Sequence, residues 1–237
     1  MWLVIATLCA FFVKGLCGFA NTLVFTSILA FTTDNINISP VELVLGYPSN
    51  VIVAWKERRH IDWKICLPLS ALVIGGSLPG ILLLKNADVR LVKIMFGFVV
   101  IAIGIEMLLR EYTKIAVKES KVFLVVIGVL SGLLCGLYGI GALLAAYVSR
   151  VTGNSKSFKA NLCIVFFIEN TFRIIAYGIT GIITPETLKN AAMLLPAMLF
   201  GLFLGMKSSA VLQEATVKKV VIVALILSGV ALVINNF

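Results

Sequence analysis

The sequence predicts an all-α polytopic membrane protein made of two inverted repeats, each a re-entrant helical hairpin followed by three transmembrane helices. Three observations carry this. Of 237 residues, 60% are hydrophobic and only 13% charged. The apolar residues gather into eight long runs, and the distribution of Lys and Arg favours turning two of those runs back on themselves. A soluble domain is roughly 45–50% apolar and about 25% charged, so a chain of this size has too little interior to hide so much apolar surface. The mean hydropathy of +1.08 agrees. A soluble enzyme and a secreted disulfide scaffold are excluded, and so is a nucleic-acid binder despite the net charge of +9. The five Cys form no CxxC and no zinc-ligand spacing, so neither a metal nor any other cofactor is expected. The apolar start lacks the basic flank of a signal peptide, and no hydrophilic mature domain follows it.

A hydrocarbon core about 30 Å thick takes ~20 apolar residues per helix. On that measure the first repeat, 1–114, holds a hairpin at 1–33 and helices at about 39–55, 63–84 and 91–109. The second, 115–237, holds a hairpin at 122–149 and helices at about 160–180, 186–206 and 217–235. The run 1–33 is interrupted by Lys14-Gly15-Leu16-Cys17-Gly18-Phe19-Ala20-Asn21. Each half then has ~13 residues or slightly more, about 20 Å of helix, which reaches the middle of a bilayer without crossing it. Ser39-Pro40-Val41-Glu42 reads as a helix start, with a capping Ser, Pro at the first helical position and Glu three residues after the cap. The run 122–149 is interrupted in turn by Gly136-Leu137-Tyr138-Gly139-Ile140-Gly141, and Thr184-Pro185 opens the helix at 186–206. Pro48, Pro68, Pro79 and Pro196 are expected to kink their helices.

Basic loop residues decide between crossing and turning back. With eight crossings they divide evenly, nine against nine. With two re-entrant hairpins they divide fourteen against four, the larger group running from Lys56 through Lys156 and Lys159 to Lys219. This puts both termini outside an inner membrane, with the second hairpin entering from the cytoplasm. The repeat is supported independently. An offset of 125 places Gly76 and Gly80 on Gly201 and Gly205, and an offset of 121 places Gly15 and Gly18 on Gly136 and Gly139. Three crossings per half make the halves inverted. The GxxxG pairs serve internal packing or a homodimer interface.

Inverted repeats with helix breaks at mid-membrane are the physical signature of a transporter's binding site. The second half of each hairpin begins at its tip, so free N–H groups and the positive end of a helix dipole point inward, around Gly18 to Thr22 and around Gly139 to Leu143. Together they suit an anion. Asn21 and Thr22 add side-chain donors, and Tyr138, Gly139 and Gly141 form the second tip. Three charges lie inside apolar runs: Lys14, Arg173 and Glu169. At such depth each costs ~3 kcal/mol or more and should face a cavity or a partner. Arg173 either pairs with Glu169 four residues earlier or binds substrate, and Lys14 either snorkels to the headgroups or binds. Asn50 and Asn170 either hydrogen-bond substrate or join helices. Glu106 beside Arg110 reads as structural, and His60 as a solvated loop residue.

The segments Lys14-Gly15-Leu16-Cys17-Gly18-Phe19 and Ser131-Gly132-Leu133-Leu134-Cys135-Gly136-Leu137-Tyr138-Gly139-Ile140-Gly141, with Ile61-Asp62-Trp63 leading into the next helix, resemble the TauE/SafE family of sulfite exporters and anion permeases. The resemblance spans the whole chain and implies transport of sulfite or sulfonated organic acids. Many members carry Gly-Phe-Gly in the first tip and a Gly-Gly-Gly run in the second; here Ala20 and Ala142 stand in for glycine. The expected function is secondary transport of a small anion by alternating access, with Glu169 the candidate for proton coupling and the anion and the lipid bilayer as partners. A competing reading is a transmembrane thiol carrier using Cys17 and Cys135. The offset of 121 weighs against it, since it pairs Cys17 with Tyr138 and Lys14 with Cys135.

Overall fold

The computed structural model describes residues 2–29, 38–83, 121–139 and 141–234, with 94, 97, 98, 101, 102, 104, 105, 108 and 109 from the expected helix at 91–109. The remainder of that helix, including Glu106 and Arg110, lies outside the described residues, as do residues 30–37 of the first loop. Among the described residues the ordered elements are helical throughout. They are α1 (Trp2–Cys17), α2 (Asn21–Leu29), α3 (Ile38–Lys56), α4 (Trp63–Leu83), α5 (Lys121–Tyr138), α6 (Ala142–Val151), α7 (Ser155–Ile179), α8 (Pro185–Val211) and α9 (Glu214–Ile234). Among those residues, α4, α7 and α8 contain the stretches long and apolar enough to cross a membrane. The 16 residues of α1 make about 24 Å of helix, short of a crossing.

Helix α8 displays the division a lipid-facing helix requires. Met193, Phe200 and Phe203 are 71%, 62% and 67% exposed, whereas Ala191, Leu194, Met198 and Leu202 are buried. An apolar face of that kind in water would mark an interaction surface; here it suits acyl chains. Its start matches the expectation: Thr184 Oγ1 accepts from the Thr187 N–H at 3.2 Å and Thr187 Oγ1 from the Thr184 N–H at 3.3 Å, a reciprocal cap ahead of Pro185.

Two helix starts differ from expectation. α7 begins at Ser155 rather than near 160, because the Asn154 side chain accepts from the Ser157 N–H at 2.8 Å and caps it there. Lys156 and Lys159, expected in a loop, are therefore helical. α3 already includes Ile38 and Ser39, so Ser39 is not the cap. Glu42 is turned inward, 4% exposed, instead of closing a capping box.

The most extensive helix contacts pair α1 with α8 and α4 with α5, while α3 packs on α7. Small residues let the backbones approach. A Cβ on Gly15 would run into the Leu202 carbonyl, and one on Gly136 into the Ser77 carbonyl. A Cβ on Gly76 would meet the Val129 carbonyl, and one on Gly201 the Leu8 carbonyl. Each contact maps onto its counterpart by the offsets of 121 and 125 already read from the glycine spacing. The glycines of the GxxxG segments at 76, 201 and 205 thus face partners within the chain. At the α3–α7 contact the rings of Tyr47 and Phe167 stack at 5.0 Å.

Candidate functional site

The site grows out of the two helix breaks. Gly18 has φ +90° and Gly139 φ +71°, a left-handed turn that glycine takes without a Cβ penalty. Each closes its preceding helix in the same way, the Gly18 N–H donating to the Lys14 carbonyl at 2.6 Å and the Gly139 N–H to the Cys135 carbonyl at 2.8 Å. New helices then start at Asn21 and Ala142, with first-turn N–H groups lacking intrahelical acceptors. Ala20 has φ +71°, uncommon for a residue with a side chain. The breaks touch: the Thr22 hydroxyl donates to the Gly139 carbonyl at 3.2 Å.

Between them lies a cavity of about 20 Å³, larger than the ~10–15 Å³ that one water occupies. Lys14, Asn21 and Thr22 line it from the first break, Gly139 and Gly141 from the second, Asn50 from α3, and Glu169, Asn170 and Arg173 from α7. Nine of the residues expected from sequence therefore share one wall. Gly18 is not among the lining residues; its carbonyl accepts from the Cys163 thiol at 3.5 Å. Tyr138 ends α5, and its side chain lies outside what is described.

Sequence reasoning missed Glu42, Phe19 and Phe166, which complete the lining. Asn21 Nδ2 donates to Glu42 Oε1, tying α2 to α3. A detectable signal existed: Glu42, Gly46 and Asn50 recur every four residues and so follow one side of α3. The two phenylalanines carry no such mark in a chain with 15 of them.

Four charges meet in this small space. Lys14, Glu169 and Arg173 are each 1% exposed, and Glu42 4%. Lys14 accordingly does not snorkel. Arg173 Nε sits 3.7 Å from Glu169 Oε1, which is the expected i,i+4 pairing, but neither atom has a hydrogen-bond partner among the described residues. The guanidinium is held instead from one end, Nη2 donating to the Tyr177 hydroxyl at 3.3 Å. At Gly139 a Cβ would lie 2.8 Å from Arg173 Nη1, so the missing side chain lets the guanidinium rest against the second break. Asn50 is fully buried with neither amide atom bonded. Buried polar groups are almost always satisfied, and an unmade bond costs ~1–3 kcal/mol. Orphaned groups on a cavity wall are what a site for a polar ligand or ordered water requires.

The five cysteines are free thiols. Cys17 packs in the apolar core, and neither it nor Cys135 lines the cavity.

The family model described as sulfite exporter TauE/SafE matches residues 3–232. No curated protein and no solved structure matches the chain. A match over nearly the whole length, on a helical protein with apolar crossings and two glycine-centred breaks, makes this chain a multi-pass membrane protein of the TauE/SafE sulfite exporter family, whose members are transporters rather than enzymes.

Proposed function

We propose that the chain exports a small anion, such as sulfite or an organosulfonate, holding it at mid-membrane between two hairpin tips and exposing it alternately to either side. One observation carries the reading: both helix breaks turn into a cavity whose buried Arg173 Nε and Asn50 Nδ2 are donors without acceptors. An oxyanion supplies several acceptor oxygens at once, and charge-assisted bonds to it are roughly twice as strong as neutral ones. The helix starts at Asn21 and Ala142 add positive dipole ends. Lys14 and Arg173 supply positive charge, while Glu42 and Glu169 hold the empty site near neutrality. A bound monoanion leaves the site one charge negative, and proton uptake on Glu169 would cancel that excess. A cytoplasm that is electrically negative drives an anion outward even without coupling.

The inverted-repeat architecture is supported by the paired contacts of Gly15 with Gly136 and of Gly76 with Gly201, and by the matched turns at Gly18 and Gly139. In this reading the first hairpin enters from outside, the second from the cytoplasm, and both termini are outside. Internal use of the GxxxG glycines favours packing within one chain over a homodimer interface.

Flux in proteoliposomes tests the reading. Sulfite efflux should be saturable and favoured over neutral or cationic solutes of similar size, and Arg173→Gln should reduce it at least tenfold. Flux indifferent to solute charge would overturn the proposal.

A further inference from the structure

A second and much larger cavity, about 650 Å³, lies where the C-terminal end of α3, the N-terminal end of α7 and the C-terminal end of α8 converge. Lys56, Lys156 and Lys159 line it against one acid, Glu57, which already stands 3.7 Å from His60 Nδ1. Lys56, Lys156 and His60 are exposed, so the cavity opens to the surface. Lys159 is different, at 6% exposed. Its ammonium donates to the Ser209 hydroxyl, and its stem packs on the first break, where a Cβ on Gly18 would lie 3.0 Å from Lys159 Cγ. The two residues after Gly18, Phe19 and Ala20, line the central cavity. One turn of chain therefore stands between Lys159 and the central cavity.

Helix α7 connects the two spaces. Phe166, Asn170 and Arg173 follow Lys159 at intervals of 7, 11 and 14 residues, which at 100° per residue keeps all of them within about 40° of one line along the helix. Lys159 and Arg173 are then about 21 Å apart along the axis, with Phe166 between them on the same side. A buried ammonium has three donors, and a low-dielectric basin lined by one sign of charge concentrates counter-ions.

We propose that this basin is a second anion-binding site, on the predicted cytoplasmic side, in which a small oxyanion takes the place of Ser209 on Lys159 before passing to the central cavity. The inference rests on the reading of the chain as an anion transporter. The basin's volume exceeds the ~30 Å³ of a single water many times over. An anion there keeps much of its hydration, so this site is the weaker of the two and the more sensitive to salt.

The test is equilibrium dialysis of the purified full-length chain against radiolabelled sulfite and, separately, sulfoacetate. The wild type should bind two anions per chain. Lys159→Gln should weaken the salt-sensitive site at least tenfold and leave the tighter one in place, while Lys159→Arg and Ser209→Ala retain both. Arg173→Gln should lose the tighter site only. Lys56→Gln and Lys156→Gln, at exposed positions that do not threaten folding, should each weaken the salt-sensitive site several-fold. One anion per chain in the wild type, or a weaker site untouched by the lysine variants, would overturn the second site and leave the transporter reading standing. Equal loss of both sites in Lys159→Gln would also overturn it, making Lys159 part of the central site. A wild type that binds neither anion would overturn both readings.

Discussion

The Thr22 hydroxyl donates to the Gly139 carbonyl at 3.2 Å across 117 residues of sequence, joining the two helix breaks directly. The bond spans the line along which the proposed repeats meet, so any motion of one repeat against the other must carry it or break it.

Thr22→Val keeps the side chain's shape and removes that donor. A typical hydrogen bond contributes about 1 kcal/mol net, and the Gly139 carbonyl loses a partner as well. A melting temperature a few degrees lower, measured by intrinsic fluorescence in detergent, is expected; no change would mean that the bond does not hold the breaks together.

The two breaks should respond oppositely to a methyl group. Ala20 has a left-handed φ of +71°, a conformation that costs an L-residue roughly 1–2 kcal/mol, so Ala20→Gly should stabilise the protein by about that amount. Gly139→Ala should destabilise it, because φ is again +71° and the new Cβ would lie 2.8 Å from Arg173 Nη1. Thermal unfolding of both variants reads the two signs.

Asn50 sets stability against binding. Its amide is buried and unbonded, and an unsatisfied polar group costs ~1–3 kcal/mol. Asn50→Leu should raise the melting temperature of the ligand-free protein and shrink the upward shift that sulfite produces in the wild type. A larger sulfite shift in the variant would remove Asn50 from the site.

Gly76 and Gly201 should act as a matched pair. A Cβ on either would collide with a carbonyl, that of Val129 or that of Leu8, and overpacking of this kind typically costs ~1–3 kcal/mol. Gly76→Ala and Gly201→Ala should lower the melting temperature by similar amounts. A loss confined to one of them would argue that the two interfaces are not equivalent.

Transport should survive in the Cys17→Ser, Cys135→Ser double variant. Neither thiol lines the cavity, so sulfite flux in proteoliposomes is expected within about twofold of wild type. Abolished flux would bring back the thiol-carrier reading.

Much of the site was legible because its residues break local rules. A Lys, an Arg and a Glu inside apolar runs, and glycines clustered in the middle of two of them, are each conspicuous against their immediate neighbours. Glu42 was not legible in this way, since its position beside Ser39-Pro40 resembles an ordinary helix start. It was assigned to a cap that the structure does not form. Lys159 was hidden for the opposite reason: it belongs to a basic stretch that reads as a loop, and only the Asn154 cap draws it into α7.

By itself the sequence determined that the chain lives in a membrane, that two of its runs are broken, and that its glycines recur at offsets of 121 and 125. These are properties of one segment, or of two segments compared, and hydropathy and spacing report them directly. Only the tertiary structure decided that Lys14, Glu42, Glu169 and Arg173 surround one cavity, that Asn50 is left without a partner, and that Lys159 is buried against Gly18. A cavity is what remains between segments far apart in sequence after they pack. Its shape and its unpaired donors depend on contacts between side chains that no single segment encodes.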